Sequence, residues 1–344
     1  MRLGGILARW ALPAIGASLA IWILFRLYKE LDFDRFAAAV WAADAGWLLA
    51  LALTILAEQL LRGWKWRQIL FDLKPVSTWR LFGAILAGYG AAVLIPLGIS
   101  PLVRSWLIAR LESLRLASVL VTAAVERFID GIVFALIALF VALAGPIPSV
   151  DGDLRAGLGI AGALGLVFFS GLLWMVFRGG RILDRSNASI SRLIDWLAAK
   201  GGARLSGLRS AIADGIVWPG APARRIAIVG ASIAMKVVAA THFLWSGLAV
   251  GITLGVLDYL FLLVFAGFAM VLARFIRVPG GFIIGSGFAL HTLGVPGERA
   301  LAMIMFTQIL TIVLMVGIGL VVLWRSGIEI RSMTQAQGHS GGAA

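Results

Sequence analysis

Six consecutive residues, Val125-Glu126-Arg127-Phe128-Ile129-Asp130, place three charges inside an apolar stretch running from about 117 to 143. Residues four apart share a helix face, so Glu126 and Asp130 present two carboxylates together. Arg127 stands three residues before Asp130 and can pair with it. At ~1.5 Å of rise per residue, Glu126 lies roughly 14 Å into the stretch. Two carboxylates at that depth can line a polar cavity or hold a proton. The structural alternative is a cluster neutralised from within. Lys236, near the middle of a second apolar stretch at 226–250, is a candidate partner for the carboxylate excess. His242, six residues further on, suits a hydrogen-bonded core position. Glu58 stands one turn before Arg62 and suits an i, i+4 pair at an interface.

Other chemistries are absent from the residue types. The sequence contains no cysteine, and its three histidines (His242, His291, His339) are scattered. Disulfides and thiolate nucleophiles are excluded, and a histidine-rich metal site is not expected. No Ser/His/Asp arrangement stands out, so no catalytic residue, metal or other cofactor is assigned.

The second signal is a pair of broken stretches. The first, 81–103, contains Ile95-Pro96-Leu97-Gly98-Ile99-Ser100-Pro101 and leads to Arg104. The second, 278–297, follows Arg277 and begins Val278-Pro279-Gly280-Gly281. Pro96, Pro101, Pro279, Gly280 and Gly281 are the expected breaks. Irregular backbone is tolerated at membrane depth only where it is buried in protein or lines a cavity. Interrupted segments in both halves of a membrane protein point to a substrate site near the midplane. Arg104, Arg274 and Arg277 beside the breaks can hold a phosphate by paired hydrogen bonds, or can act as interfacial anchors.

The elements that must position these residues are membrane spans. Of 344 residues, 61% are apolar and 14% charged, against about 25% charged in soluble domains. Apolar stretches fall at about 10–27, 45–61, 117–143, 157–177, 226–250, 252–273 and 300–324. The expectation is an all-α bundle of about seven or eight spans. It forms a single transmembrane domain over 1–330, with one or two re-entrant elements and a disordered tail at 331–344. The net charge of +13 sits in short loops, which fits the positive-inside bias and not a nucleic-acid partner. Residues 62–80 and 178–225 are basic, whereas 26–44 and 145–156 lean acidic. The N-terminus is therefore expected in the cytoplasm, in a bacterial inner membrane. Loop 178–225 carries amphipathic patterns, Ile190, Leu193, Ile194 and Leu197 among them, suited to the inner leaflet. With these sides fixed, 81–103 dips in and returns; 278–297 either does the same or crosses.

An ordered set of motifs resembles the flippase-like transmembrane domain of the lysylphosphatidylglycerol synthases. Pro96 stands eight residues before Arg104, Glu126-Arg127-x-x-Asp130 follows in the next span, and Pro279-Gly280-Gly281 comes late. The resemblance spans roughly residues 10–324 and departs at Ala91, Ala92 and Val93 and at Ser286. It implies a stand-alone member of a family in which some proteins are associated with hopanoid lipids. The implied activity is movement of a polar or anionic lipid between leaflets, with Glu126, Arg127, Asp130 and Lys236 lining the path. Arg104 and Arg277 would meet the headgroup. Membrane lipids, and enzymes of lipid biosynthesis, are the expected partners. A membrane-embedded lipid-modifying enzyme, or a non-transporting partner of one, is the other class.

Overall fold

The computed structural model describes residues 31–94, 100–144, 150–184, 219–275 and 279–326, and a few positions from Ser18 to Lys29. All ten regular elements among them are helices. In chain order these are α1 (Phe33–Trp41), α2 (Ala45–Leu70), α3 (Thr78–Leu94), α4 (Ser100–Leu111) and α5 (Leu116–Leu143). They continue as α6 (Gly152–Asp184), α7 (Pro222–Ala249), α8 (Val256–Phe275), α9 (Gly281–Thr292) and α10 (Gly297–Arg325). The expected all-helical bundle is what forms.

Five stretches are long and apolar enough to cross a membrane: α2, Gly152–Arg178 of α6, α7, Val256–Ala273 of α8, and α10. Helix α5 has 28 residues, enough to cross, but Glu126, Arg127 and Asp130 interrupt its apolar run. Helices α4 and α9 have 12 residues each. Each rises about 18 Å, well short of a hydrocarbon core of about 30 Å.

The chain forms two compact units. One holds Met1–Glu58, Arg127–Trp174 and Val229–Thr311, and the other Gln59–Glu126, Met175–Ile228 and Ile312–Ala344. Each contains one of the broken stretches, and in each unit two of the helices beside the break pack on one another. In the second unit α3 packs on α4. A Cβ at Gly88 would stand 2.8 Å from the Ser100 carbonyl oxygen, so only glycine admits this approach. In the first unit α8 packs on α9. Gly281 and Gly285 lie one turn apart against Ala273 and Ala269, closer than any Cβ would allow. Small residues at this spacing are how helices associate where water offers no hydrophobic drive. Gly280 turns the chain with a φ of +75°, a conformation that disfavours side chains.

Several expectations fall partly or wholly outside the described residues: the first apolar stretch at about 10–27, Pro96, Arg277, the amphipathic patterns within 185–218, and the tail after Arg331. Pro101 lies in the first turn of α4, where its missing N–H has no intrahelical partner to lose. One expectation is corrected. The basic segment 62–80 was expected to be a loop, yet α2 continues through Leu70 and buries Lys65, Trp66, Ile69 and Leu70.

Candidate functional site

The most concentrated chemistry lies in the second unit, where α2, α4 and α5 meet. Arg104 donates from Nη2 to Glu126 Oε2 at 2.8 Å. Lys65 Nζ stands 3.6 Å from the other carboxylate oxygen. Lys65 and Glu126 are fully buried, and Arg104 is 2% exposed. Unpaired, each such ion would lose several kcal/mol of hydration, so the contacts between them hold the cluster in place.

The surrounding residues fix the arginine plane. The Arg104 guanidinium lies over the Trp66 ring, 4.7 Å from its centroid. The Trp66 indole N–H donates to Thr122 Oγ1 at 3.1 Å, and that hydroxyl donates to the Val119 carbonyl at 2.8 Å. Thr122 is one turn before Glu126 on α5, so one helix face anchors both the stacking ring and the acceptor. Polar capacity remains to be used. Among the described residues, Arg104 Nε, Ser105 Oγ and both amide atoms of Gln59 are buried without a hydrogen-bond partner. Buried polar atoms are rarely left so.

At the far end of the α3–α4 pair, Glu112 gathers a second cluster. Arg80 Nη1 reaches Glu112 Oε1 at 2.8 Å, and Lys74 Nζ reaches Oε2 at 3.1 Å. Lys74 also donates to the Glu112 carbonyl at 2.7 Å. Burial pushes the Glu112 carboxyl up, but hydrogen bonds from Arg80 and Lys74 outweigh it, and the net shift is downward. These bonds tie the start of α3 to the end of α4. Nearby, Asp72 receives Arg224 Nη1 at 2.8 Å and the Gly220 N–H at 2.9 Å.

Of the residues singled out in the sequence, Arg104 and Glu126 come together directly. Asp130 and Lys236 belong to the first unit. Asp130 is buried. Lys236 Nζ lies 5.5 Å from the centroid of Phe134, one turn beyond Asp130 on α5. Arg127 is exposed. In the same unit His242 Nε2 stands 4.0 Å from Glu58 Oε2, a longer-range relationship than a helix-surface pair for Glu58 supplies.

The sequence reading missed Lys65 and Gln59 as parts of a site, and Glu112 as a tether. A signal for Lys65 existed: Leu61, Trp64, Trp66 and Ile69-Leu70 continue the apolar pattern of α2 between the basic residues.

A family model, that of the lysylphosphatidylglycerol synthase TM region, matches residues 13–319. The chain belongs to this family. No curated protein and no solved structure matches it. Membership and the five long apolar helices make it a multi-pass membrane protein with a place in lipid handling. The Glu126-Arg127-x-x-Asp130 motif lies on the helix that supplies the buried acceptor of Arg104.

Proposed function

We propose that the protein is a translocator that moves a polar or anionic lipid between the leaflets of a bacterial cytoplasmic membrane, with its N-terminus in the cytoplasm. The observation that carries this reading is the buried Lys65–Glu126–Arg104 cluster, built on a helix too short to cross the bilayer. Ionisable groups within membrane segments are costly and mark pathways for polar cargo.

The cluster suits an exchange of acceptors. A headgroup phosphate can take the place of Glu126 on the Arg104 guanidinium, whose planar donors match phosphate oxygens in pairs. Glu126 then retains Lys65 as its counter-ion, so no charge is stranded when the lipid binds or leaves. Trp66 keeps the guanidinium oriented through both states. In the first unit, Arg127, Asp130 and Lys236 offer further polar groups, and Arg277 is a cation that precedes Pro279 in the sequence. Enzymes of lipid biosynthesis are the natural suppliers of such a substrate.

The test uses purified protein in vesicles holding a head-labelled phosphatidylglycerol. A translocator exposes inner-leaflet label to a membrane-impermeant quencher and leaves the lipid chemically unchanged. Conversion of the lipid to a new species would favour the enzyme class. No exchange and no conversion would remove both activities for this lipid.

A further inference from the structure

The first unit holds a buried carboxylate and imidazole that the Lys65–Glu126–Arg104 cluster does not use. Glu58 stands on α2, about 20 Å along the helix from Ala45 and about 18 Å from Leu70. His242 stands on α7. Both helices are long and apolar enough to cross a membrane. The two side chains are 12% and 10% exposed, and His242 Nε2 lies 4.0 Å from Glu58 Oε2. Ionisable groups at such depth are costly, and glutamate and histidine found there often relay protons.

The second contact of the ring fixes its tautomer. His242 hydrogen-bonds the backbone of Thr54, one turn before Glu58 on α2, while Nε2 has no hydrogen-bond partner among the described residues. A helical carbonyl accepts, so Nδ1 carries the ring proton and Nε2 of the neutral ring presents a lone pair. That lone pair faces a carboxylate oxygen, which is also an acceptor. Two acceptors do not bond, and 4.0 Å is beyond hydrogen-bond distance. One added proton supplies the missing donor. Held on Nε2 it donates to the carboxylate, and held on Oε2 it donates to the ring. With that proton the pair is neutral, and without it the pair carries one negative charge.

The same two helices are joined elsewhere in the unit without titrating groups. Just before α2, the Asp44 backbone N–H donates to the Ala249 carbonyl at the end of α7 at 2.9 Å. Trp47 stacks on Trp245 with ring centroids 5.4 Å apart. These contacts hold at any pH, whereas the join at Glu58 and His242 depends on a proton.

We propose that Glu58 and His242 form an intramembrane proton-binding site whose single exchangeable proton fastens α2 to α7. Among the described residues, Glu58 is the charge that acts on His242. One turn either side of His242, α7 carries Val238, Ala239, Trp245 and Ser246, all uncharged. Arg62, one turn further along α2, is within helical reach of Glu58. Of the other charges near these helices, Arg127 and Asp130 stand on α5, and Lys236 lies over Phe134 of α5, six residues before His242. Asp258, Glu298 and Arg299 stand at the starts of α8 and α10. A proton bound partway along two spans lets a transmembrane proton gradient act on their contact. The site does not rest on the translocator reading.

The sequence has three histidines, so His291→Gln and His339→Gln together leave His242 as the one imidazole to label. In this full-length background, purified in detergent, the ring nitrogen-15 signals are followed through a pH titration. Nδ1 should stay protonated throughout, and Nε2 should pass in one step from a lone pair to a proton-bearing or hydrogen-bonded nitrogen. Glu58→Gln should weaken that proton binding by about tenfold or more, as loss of a charge within about 4–6 Å does. An unchanged transition in folded Glu58→Gln protein, or an Nε2 signal that never moves in the parent, would overturn the site. Should Glu58→Gln fail to fold, Glu58→Asp takes its place, keeping the charge but withdrawing it by one methylene. It should weaken proton binding to a smaller extent, and an unchanged transition there would count equally against the pair.

Discussion

Arg104 and Glu126 are 22 residues apart and meet at 2.8 Å, both buried, with the guanidinium stacked on Trp66. A lysine at 104 would keep the charge but not the planar donors or the stacking. Arg104→Lys is therefore expected to weaken retention of phosphatidylglycerol by the purified protein. Native mass spectrometry at matched detergent and salt measures this, and equal retention by wild type and variant would count against headgroup recognition by Arg104.

Lys65 offers a sharper contrast, because its position in the sequence and in the structure suggest opposite outcomes. A lysine among Arg62, Arg67 and Lys74 looks like a loop cation that glutamine could replace at no cost. Buried beside Glu126 at 3.6 Å, it is an ion whose loss leaves the carboxylate with one fewer counter-charge. Breaking a buried pair costs about 3–5 kcal/mol, and the retained Arg104 contact brings the expectation toward the lower end. Lys65→Gln should visibly lower the unfolding midpoint in detergent. A midpoint equal to that of wild type would return Lys65 to the surface.

Much of this architecture was legible in the sequence. The apolar runs gave the spans, because nothing but a bilayer needs so many. Pro279-Gly280-Gly281 announced a turn, since Gly280 holds a left-handed φ and Gly281 stands where no Cβ fits. Glu126 stood out because its charge lies deep in an apolar stretch. Its partners did not, since both lie on other helices and neither is within helical reach of it along the chain. Pro101 could not be placed more finely, because proline in a first helical turn has the same sequence signature as proline in a break. The Glu112 tether was hidden for a similar reason: its partners Lys74 and Arg80 read as ordinary inward-facing positive charge.

The hairpin packing makes two glycines behave oppositely. At Gly88 a Cβ meets the Ser100 backbone oxygen at 2.8 Å and approaches Arg104 Cβ at 3.4 Å. Backbone cannot yield there, so Gly88→Ala should splay α3 from α4 and displace Arg104, lowering both thermal stability and lipid binding. Gly171 on α6 has nothing within 4 Å of its added Cβ. Gly171→Ala is expected to be neutral or to stabilise by up to about 1 kcal/mol through helix propensity. Thermal unfolding of the two variants side by side checks the pair, and equal midpoints would refute the close approach.

Glu112 makes the hairpin base sensitive to acid. Its carboxyl is held below the ordinary value of 4.5 by Arg80 and Lys74. A depressed folded-state value means the stabilisation is complete above about pH 4.5 and fades as pH falls through the folded value. Glu112→Gln should therefore unfold at a lower temperature than wild type near neutrality, and the gap should close in acid. A gap that persists unchanged below the carboxylate range would mean that the tether contributes nothing through charge.

The central claim is that the buried cluster moves lipid, and Glu126→Gln tests it most directly. Glutamine preserves the shape and a hydrogen-bond acceptor for Arg104, but removes the charge that must trade places with phosphate. The measurement is leaflet exchange of labelled phosphatidylglycerol in vesicles containing equal amounts of correctly folded wild type or variant, with circular dichroism and size exclusion confirming the fold. The account predicts exchange by wild type and none above the protein-free rate for Glu126→Gln. Full exchange by a folded Glu126→Gln protein would contradict it, leaving the Lys65–Glu126–Arg104 cluster as a structural brace.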